Sequence, residues 1–198
     1  MNEKDPRAVR TKNLIKESFV QLLEEKDFKY ITIKDITTKA TINRATFYAH
    51  YLDKYILLEE LVIDCFEEML PIEILSATDL NEEIIKELIF FLYEYNISFY
   101  QKRKIDSTSI ASTVDNLLKY KIDNLIEKIL NSMVARNELD SKDTNILVKL
   151  ISSSVYSCAQ YCYFSKNDKE YNIEKTISFI MNGIKAVTLK AALFQHIL

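Results

Sequence analysis

Apolar residues recur every three or four positions along most of this chain, the spacing of one face of an α-helix. Val9, Ile15, Phe19, Leu22 and Leu23 predict a first helix over 7–25, and Phe28 and Tyr30 anchor the loop behind it. Thr32 opens a short second helix, with Asp35 placed for a capping box and Ile33, Ile36 and Ala40 on the buried side. Thr41 and Ile42 make a turn, Asn43 caps a third helix at about 44–51, and a fourth runs from near Asp53 to before Pro71. After the loop "IEILSATDLN", an aromatic fifth helix spans about 82–103. "KIDSTSIAST" reads as a bend with a short helix, and 115–136 as a long one. Asp140 caps a helix over about 141–166, and Asn172 caps the last, over about 173–193. The fold class is all-α, with about nine helices.

Composition agrees. One glycine and two prolines in 198 residues leave too few turn residues for hairpins. With 48% hydrophobic residues the chain can build a core. No apolar run reaches bilayer length, and the charged start "MNEKDPRAVR" lacks the apolar stretch of a signal peptide. The expectation is a soluble, cytoplasmic protein with no membrane partner. Net charge is −3 but unevenly spread: residues 1–54 hold 11 basic against 8 acidic side chains, the remainder 15 against 21. A basic N-terminal quarter on an acidic body suits a polyanion contact at that end.

The segment "TINRATFYAHYLDK" (41–54) carries the most chemistry. At about 100° per residue, Phe47 and Tyr51 share one side and face the core. Ala45 and Ala49 point away, flanked by Thr46 and His50 on one side and Arg44 and Tyr48 on the other. A ridge small at its crest and hydrogen-bonding at its edges suits the DNA major groove. Small crest residues let the backbone approach, arginine reads guanine, and hydroxyls and phenols hold phosphates. Two short helices joined by a tight turn form a helix-turn-helix. The helix pattern alone is equally consistent with an ordinary surface helix.

The stretch "ITIKDITTKATINRATFYAHYLDKYILLEEL" closely resembles the DNA-binding domain of the tetracycline-repressor (TetR) family of regulators, over roughly residues 8–62. The likeness rests on Thr32, Asp35, Ile36, Ala40, the run Thr46-Phe47-Tyr48, the aromatic Tyr51 and Lys54. It implies a three-helix DNA-binding domain over 1–52 and a helical effector-binding and dimerisation domain over 53–198. It also implies phosphate contacts from Thr32, Tyr48 and Lys54, and a phosphate or base contact from Thr46. Arg44 and Ala45 become the base readers, joined by Ala49 and His50, while Asn43 caps the helix and reaches the DNA backbone. The family usually has glycine in the turn where this chain has Thr41, which a positive φ would strain.

The body shows no catalytic constellation, no glycine-rich phosphate loop and no nucleophile elbow, so no enzyme, cofactor or metal is expected. Cys158 and Cys162 lie four apart on one helix face, but the two histidines, His50 and His196, are remote in sequence. They read as core cysteines. The last two helices are apolar on more than one side, so each needs two neighbours. Leu147, Ile151, Val155, Cys158, Ile177, Ile180, Gly183 and Ile184 are the candidate dimer interface. Phe66, Phe90, Tyr93, Tyr95, Phe99 and Tyr156 are candidates for an effector cavity, and each is equally an ordinary core aromatic. The C-terminal part resembles a Firmicutes-type subgroup of the same family. Together these features imply a homodimeric regulator, a repressor released from a pseudo-palindromic double-stranded DNA operator by a small-molecule effector. The competing reading is a protein-interaction or coactivator module with a vestigial helix-turn-helix.

Overall fold

Side-chain oxygens set where the helices begin. Asp5 accepts from the Arg7 backbone N–H at 2.9 Å, with Pro6 in the first helical position, and starts α1 (Pro6–Glu25). A 3-10 turn (Phe28–Tyr30) follows, capped by Asp27. Thr32 and Asp35 form the full reciprocal capping box at the start of α2 (Ile33–Lys39). Asn43 caps α3 (Arg44–Tyr48). Asp53 accepts from the Tyr55 and Ile56 N–H groups at 2.7 and 3.0 Å, and α4 (Lys54–Met69) begins there. Next come α5 (Ile72–Leu75) and α6 (Glu82–Gln101), the latter with Asn81 accepting from Ile84 at 2.9 Å. The series closes with α7 (Ser107–Ala135), α8 (Ser141–Phe164), capped by Asp140, and α9 (Lys169–Gln195).

This computed structural model describes residues 5–101, 103, 107–165 and 168–195, so His196 lies outside the described residues. All the regular structure among them is helical. Three expectations need correction. Part of the loop after Pro71 is the short helix α5, since a proline at its cap starts a turn as readily as it ends one. The polar Ser107–Thr113 stretch forms the first turns of α7 rather than a separate short helix, because its buried Ile110 and Val114 continue the stripe of Leu118 and Ile122. The last helix starts at Lys169, not after Asn172: Asp168 accepts from the Tyr171 N–H at 3.2 Å, and Asn172 donates its own amide back to the Asp168 carbonyl.

The chain divides into two compact units, Met1–Glu68 with Ser98–Leu117, and Met69–Ile97 with Leu118–Leu198. The first is centred on Ile15, Phe19, Phe28, Ile36, Phe47, Tyr51, Leu57 and Leu58, all fully or nearly fully buried. In the second, α8 packs directly on α9, and Val155, Ala159, Ile173 and Ile180 lie in the buried set beside Ile85, Leu92 and Ile126.

Two helix ends need a left-handed residue, and neither has a glycine. Thr41 has φ 55° and Asn137 φ 60°. Around Thr41, the Ile42 N–H reaches the Thr37 carbonyl at 3.0 Å and the Thr41 N–H reaches Thr38 at 3.2 Å, the paired bonds of a Schellman end. Asn137 repeats the pattern with Glu138 to Met133 and Asn137 to Val134. Asparagine tolerates this conformation; a β-branched threonine is strained by roughly 1–2 kcal/mol. Thr41→Gly is therefore expected to raise unfolding stability by about 1 kcal/mol, after the glycine's own backbone-entropy cost is set against the relieved strain. Urea melts of the two proteins measure it; an unchanged or lower midpoint would show that Thr41 sits there without strain.

Candidate nucleic-acid interface

The α3 ridge is fixed from below and capped from the front. Phe47 and Tyr51 are buried, with ring centroids 5.8 Å apart. Asn43 Oδ1 accepts from the Thr46 backbone N–H at 2.7 Å and from the Thr46 hydroxyl at 2.9 Å. Beyond Tyr48 the chain stays coiled for another turn, with the Ala49, His50 and Tyr51 N–H groups on the Ala45 and Phe47 carbonyls. Arg44, Ala45, Tyr48 and Ala49 are exposed, while Thr46 and His50 are half-buried at the edges. The predicted wheel is thus the observed one, on a regular helix three residues shorter than expected.

Behind the ridge lies a charged cluster between α1 and α4. Lys12 pairs with Glu60 at 2.8 Å, and Lys16 pairs with both Glu60 and Asp64. Burial raises the Glu60 carboxyl, but Lys12 and Lys16 outweigh it and hold the group below its ordinary value. Burial, helped by Glu60, pushes the Tyr51 phenol far above its usual range, so it stays protonated. Burial and then the Lys12 ammonium hold the His50 imidazole below its ordinary value, against a smaller opposite pull from Glu60. His50 thus meets a ligand as a neutral ring at physiological pH.

The basic side chains divide into engaged and available ones. Lys12 is held by Glu60, Lys39 by Glu25 at 2.6 Å and Lys26 by Asp35 at 2.8 Å. That contact with Lys26, then the bonds from Thr32, takes the Asp35 carboxyl down to about 2. Lys54 Nζ donates to the carbonyls of Phe28 and Ile31 at 2.8 Å each and of Lys29 at 3.3 Å, and lies 4.3 Å from the Phe28 ring centroid. Arg44 and Lys34 are exposed and meet no acceptor among the described residues. Thr32, expected at a phosphate, spends its hydroxyl on Asp35.

No family model matches the chain. The uncharacterized HTH-type transcriptional regulator YxbF of Bacillus subtilis is 40% identical over 84 residues, which is 42% of this chain. The match spans about a fifth (22%) of that protein's length. Among solved structures, the dihydroxyacetone kinase operon activator DhaS superposes with a TM-score of 0.58 at 18% identity, over 90% of this chain and 98% of that one. A TetR transcriptional regulator from Streptococcus agalactiae 2603V gives 0.54 at 21%, over 89% and 97%. RolR in complex with resorcinol gives 0.62 at 15%, over 92% and 94%. The chain has the TetR-regulator fold. The curated relative is likewise a regulator, and no enzyme stands among these similar proteins.

Within the TetR fold, the residues expected in the body are found in several settings. Phe66 and Phe99 are buried in the first unit, and Tyr95 and Tyr156 in the second. Tyr93 is half-buried and accepts from Lys169 Nζ at 2.8 Å; Phe90 is partly exposed and lines a groove between α6 and α9. Of the eight residues expected at a dimer contact, Leu147, Ile151, Val155, Cys158, Ile177, Ile180 and Ile184 are already covered by their own chain. They hold α8 and α9 in the protomer, because a helix buries its most apolar stripe first. Gly183 is exposed, and a methyl added there would meet nothing within 4 Å. The open face is one the pattern missed: Ile146, Leu150, Tyr161, Phe164 and Phe179, each more than half exposed. Its signal was a second, weaker stripe, diluted by Ser154 and Ser157. Cys158 and Cys162 are buried, and burial followed by the neighbouring Cys158 pushes the Cys162 thiol up to about 11. Among the described residues no group of three His, Cys, Asp or Glu side chains is placed to hold a metal, and no helix is long and apolar enough to cross a membrane.

Lys54 joins the loop after α1 to the first turn of α4, and hydrogen bonds from a charged donor are worth about 1.5–3 kcal/mol when partly buried. Lys54→Ala is expected to lower unfolding stability by about 2 kcal/mol. A chemical melt measures it. If stability is unchanged while DNA affinity falls with a salt slope flatter by about one unit, the ammonium serves a phosphate instead.

Proposed function

We propose that the chain is a homodimeric DNA-binding transcriptional regulator that uses the α3 ridge to read a pseudo-palindromic operator. The observation that carries this reading is the ridge itself: exposed Arg44, Ala45, Tyr48 and Ala49 on a helix locked by Asn43, Phe47 and Tyr51. Arg44 stands in the first turn, exposed and with no acceptor among the described residues, where it can reach a base edge and guanine is its best partner. Tyr48 and Lys34 serve phosphates, and Thr46 and His50 flank the crest. Thr32 and Lys54 act mainly by fixing the frame in which these groups are presented. The first unit is then the DNA-binding part and the second the effector and dimer part.

In its simplest form the regulator is a repressor released by a small effector. Support comes from the second unit, where Asn96 on α6 is 1% exposed and neither end of its amide has a hydrogen-bond partner among the described residues. A buried amide with both ends unpaired is costly, and a bound molecule that donates and accepts relieves it. The buried polar residues among those described are Ser18, Thr37, Asn96, Thr144 and Ser152, none of them ionisable. An uncharged effector fits that interior better than an ion. RolR, which shares the fold, is solved with resorcinol, a neutral diphenol. Tyr95 and Tyr156, buried in the same unit, remain the aromatic candidates for that site.

Arg44→Ala is expected to cost about 1–3 kcal/mol per half-site and to relax preference at one symmetric pair of operator positions. Tyr48→Phe should weaken all sequences alike, since a phosphate contact carries no sequence information. Selection on randomised DNA, followed by salt-dependent shift assays on the chain's own upstream region, measures both. An Arg44→Ala protein that keeps every positional preference and only binds more weakly removes Arg44 as a base reader. No salt-dependent binding to any selected DNA would leave the interaction-module reading in its place.

Dimerisation is assigned to the open face of α8 and α9: Leu150, Tyr161, Phe164, Phe179 and Gly183. Phe179→Asp is expected to give a folded monomer, because Phe179 is 70% exposed in the protomer and a charge there harms only a partner contact. Gly183→Ala separates two roles for the glycine. With a partner helix close by, it weakens the dimer; with open space, it only stabilises α9 by about 1 kcal/mol. Sedimentation at micromolar concentration reads both. A wild-type chain that is monomeric there removes the dimer and the palindrome with it.

A further inference from the structure

The groove between α6 and α9 has a volume of about 660 Å³ and lies wholly within the second unit. Its floor is apolar, from Phe90, Ile173, Ile177 and Met181. Its rim carries Glu82, Glu83, Glu87, Glu170 and Glu174 against only Lys86 and Lys185. On α9 the lining runs from 170 to 185, which at 1.5 Å per residue is about 22 Å long. The lining positions 170, 174, 177, 181 and 185 follow the spacing by which one helix receives another. Residues 172, 176, 179 and 183 point about 180° away, so the groove stays open whatever covers the Phe179 face.

We propose that this groove is a docking site for a basic amphipathic helix of a partner protein. Shape, length and charge agree on that occupant. The α9 wall is several helical turns long and the α6 wall, from 82 to 90, about two, so the trough suits a helix better than a compact small molecule. Leucine-type anchors at i, i+4, i+7 and i+11 would lie along Phe90, Ile173, Ile177 and Met181. Lysines or arginines on the flanks would face the glutamate rims, giving fast, salt-sensitive association. Like charge along both rims rejects an acidic helix, including the glutamate-rich start of a second α6. DNA is rejected for the same reason, so docking here does not compete with the α3 ridge for its ligand. The chain would then join operator DNA at one unit to a protein partner at the other.

The test uses the full chain and a fluorescein-labelled 18-residue peptide with leucines at i, i+4, i+7 and i+11 and lysines on the flanks. Anisotropy is expected to show micromolar binding that weakens as salt rises. The Glu83→Lys/Glu174→Lys double variant should weaken it at least tenfold. The Glu73→Lys/Glu127→Lys variant changes net charge equally at exposed positions outside the groove and should leave affinity within twofold. A peptide of the same composition with its leucines scattered around the helix should bind at least tenfold more weakly than the patterned one. Equal binding of the two peptides, equal loss in the two double variants, or no binding of the patterned peptide overturns the proposal. So does binding of tetraphenylphosphonium, a compact apolar cation, to the same rim with no binding of the peptide. All of these measurements are made without DNA, so failure here leaves the operator reading intact, and failure of operator binding leaves this one intact.

Discussion

A five-residue helix has no stability of its own. Nucleating the first turn fixes several dihedrals for one hydrogen bond, and isolated helices shorter than about 12 residues are marginal in water. α3 exists because Phe47 and Tyr51 are driven into the core of the first unit and because Asn43 supplies the missing acceptor at its start. Everything the ridge can do follows from that anchoring. The two aromatics fix the helix's rotation, so Ala45 and Ala49 face outward by necessity. Asn43 also takes the Thr46 hydroxyl, so the edge beside the crest is ordered before any ligand arrives. A preorganised edge lowers the ordering cost of binding.

The same unit shows how a protein limits its own charge. Most lysines around α1, α2 and the following turn are committed to carboxylates or carbonyls, and among those acids Asp35 and Glu60 are drawn below their ordinary values. A formal excess of positive charge therefore overstates what is offered to a polyanion. Arg7, Arg10, Lys34 and Arg44 are exposed and their side chains meet no acceptor among the described residues, and of these only Arg44 stands on the ridge itself. Specificity in such an arrangement depends on few groups, and the internal ion pairs keep the frame rigid without adding indiscriminate attraction.

The first unit was legible because its signals are local. A capping box is four residues long, a wheel needs two turns, and the Thr41 turn could be located from the missing glycine. The body was less legible because its signals are relational. The stripes on α8 and α9 announced more than one apolar side on each helix, but not which stripe closes inside the protomer. The more apolar one, with Val155 and Ile180, closed inside the protomer, leaving the serine-diluted stripe outside. Helix starts near Asn172 and in 107–113 were misread for a related reason. Several polar residues compete for one cap, and the winner depends on where the helix axis must run to bury Ile110 or Ile173. Asn96 was silent in the sequence, since one asparagine in an aromatic helix looks like any other until its burial is known.

α9 makes the division of labour in the second unit a matter of geometry. Its 172, 176, 179 and 183 stripe and its 174, 177, 181 and 185 stripe are about half a turn apart, with Ile180 and Ile184 buried between them. The first stripe, Asn172, Thr176, Phe179 and Gly183, carries no charge and one exposed aromatic ring. The other is rimmed by glutamates, which a two-fold contact would bring face to face at a cost. A self-contact is therefore directed to the first stripe by the repulsion built into the second. The same repulsion leaves the second stripe free for a partner of opposite charge. Because α9 is one continuous helix, a shift that changed its tilt on α8 would move both surfaces together.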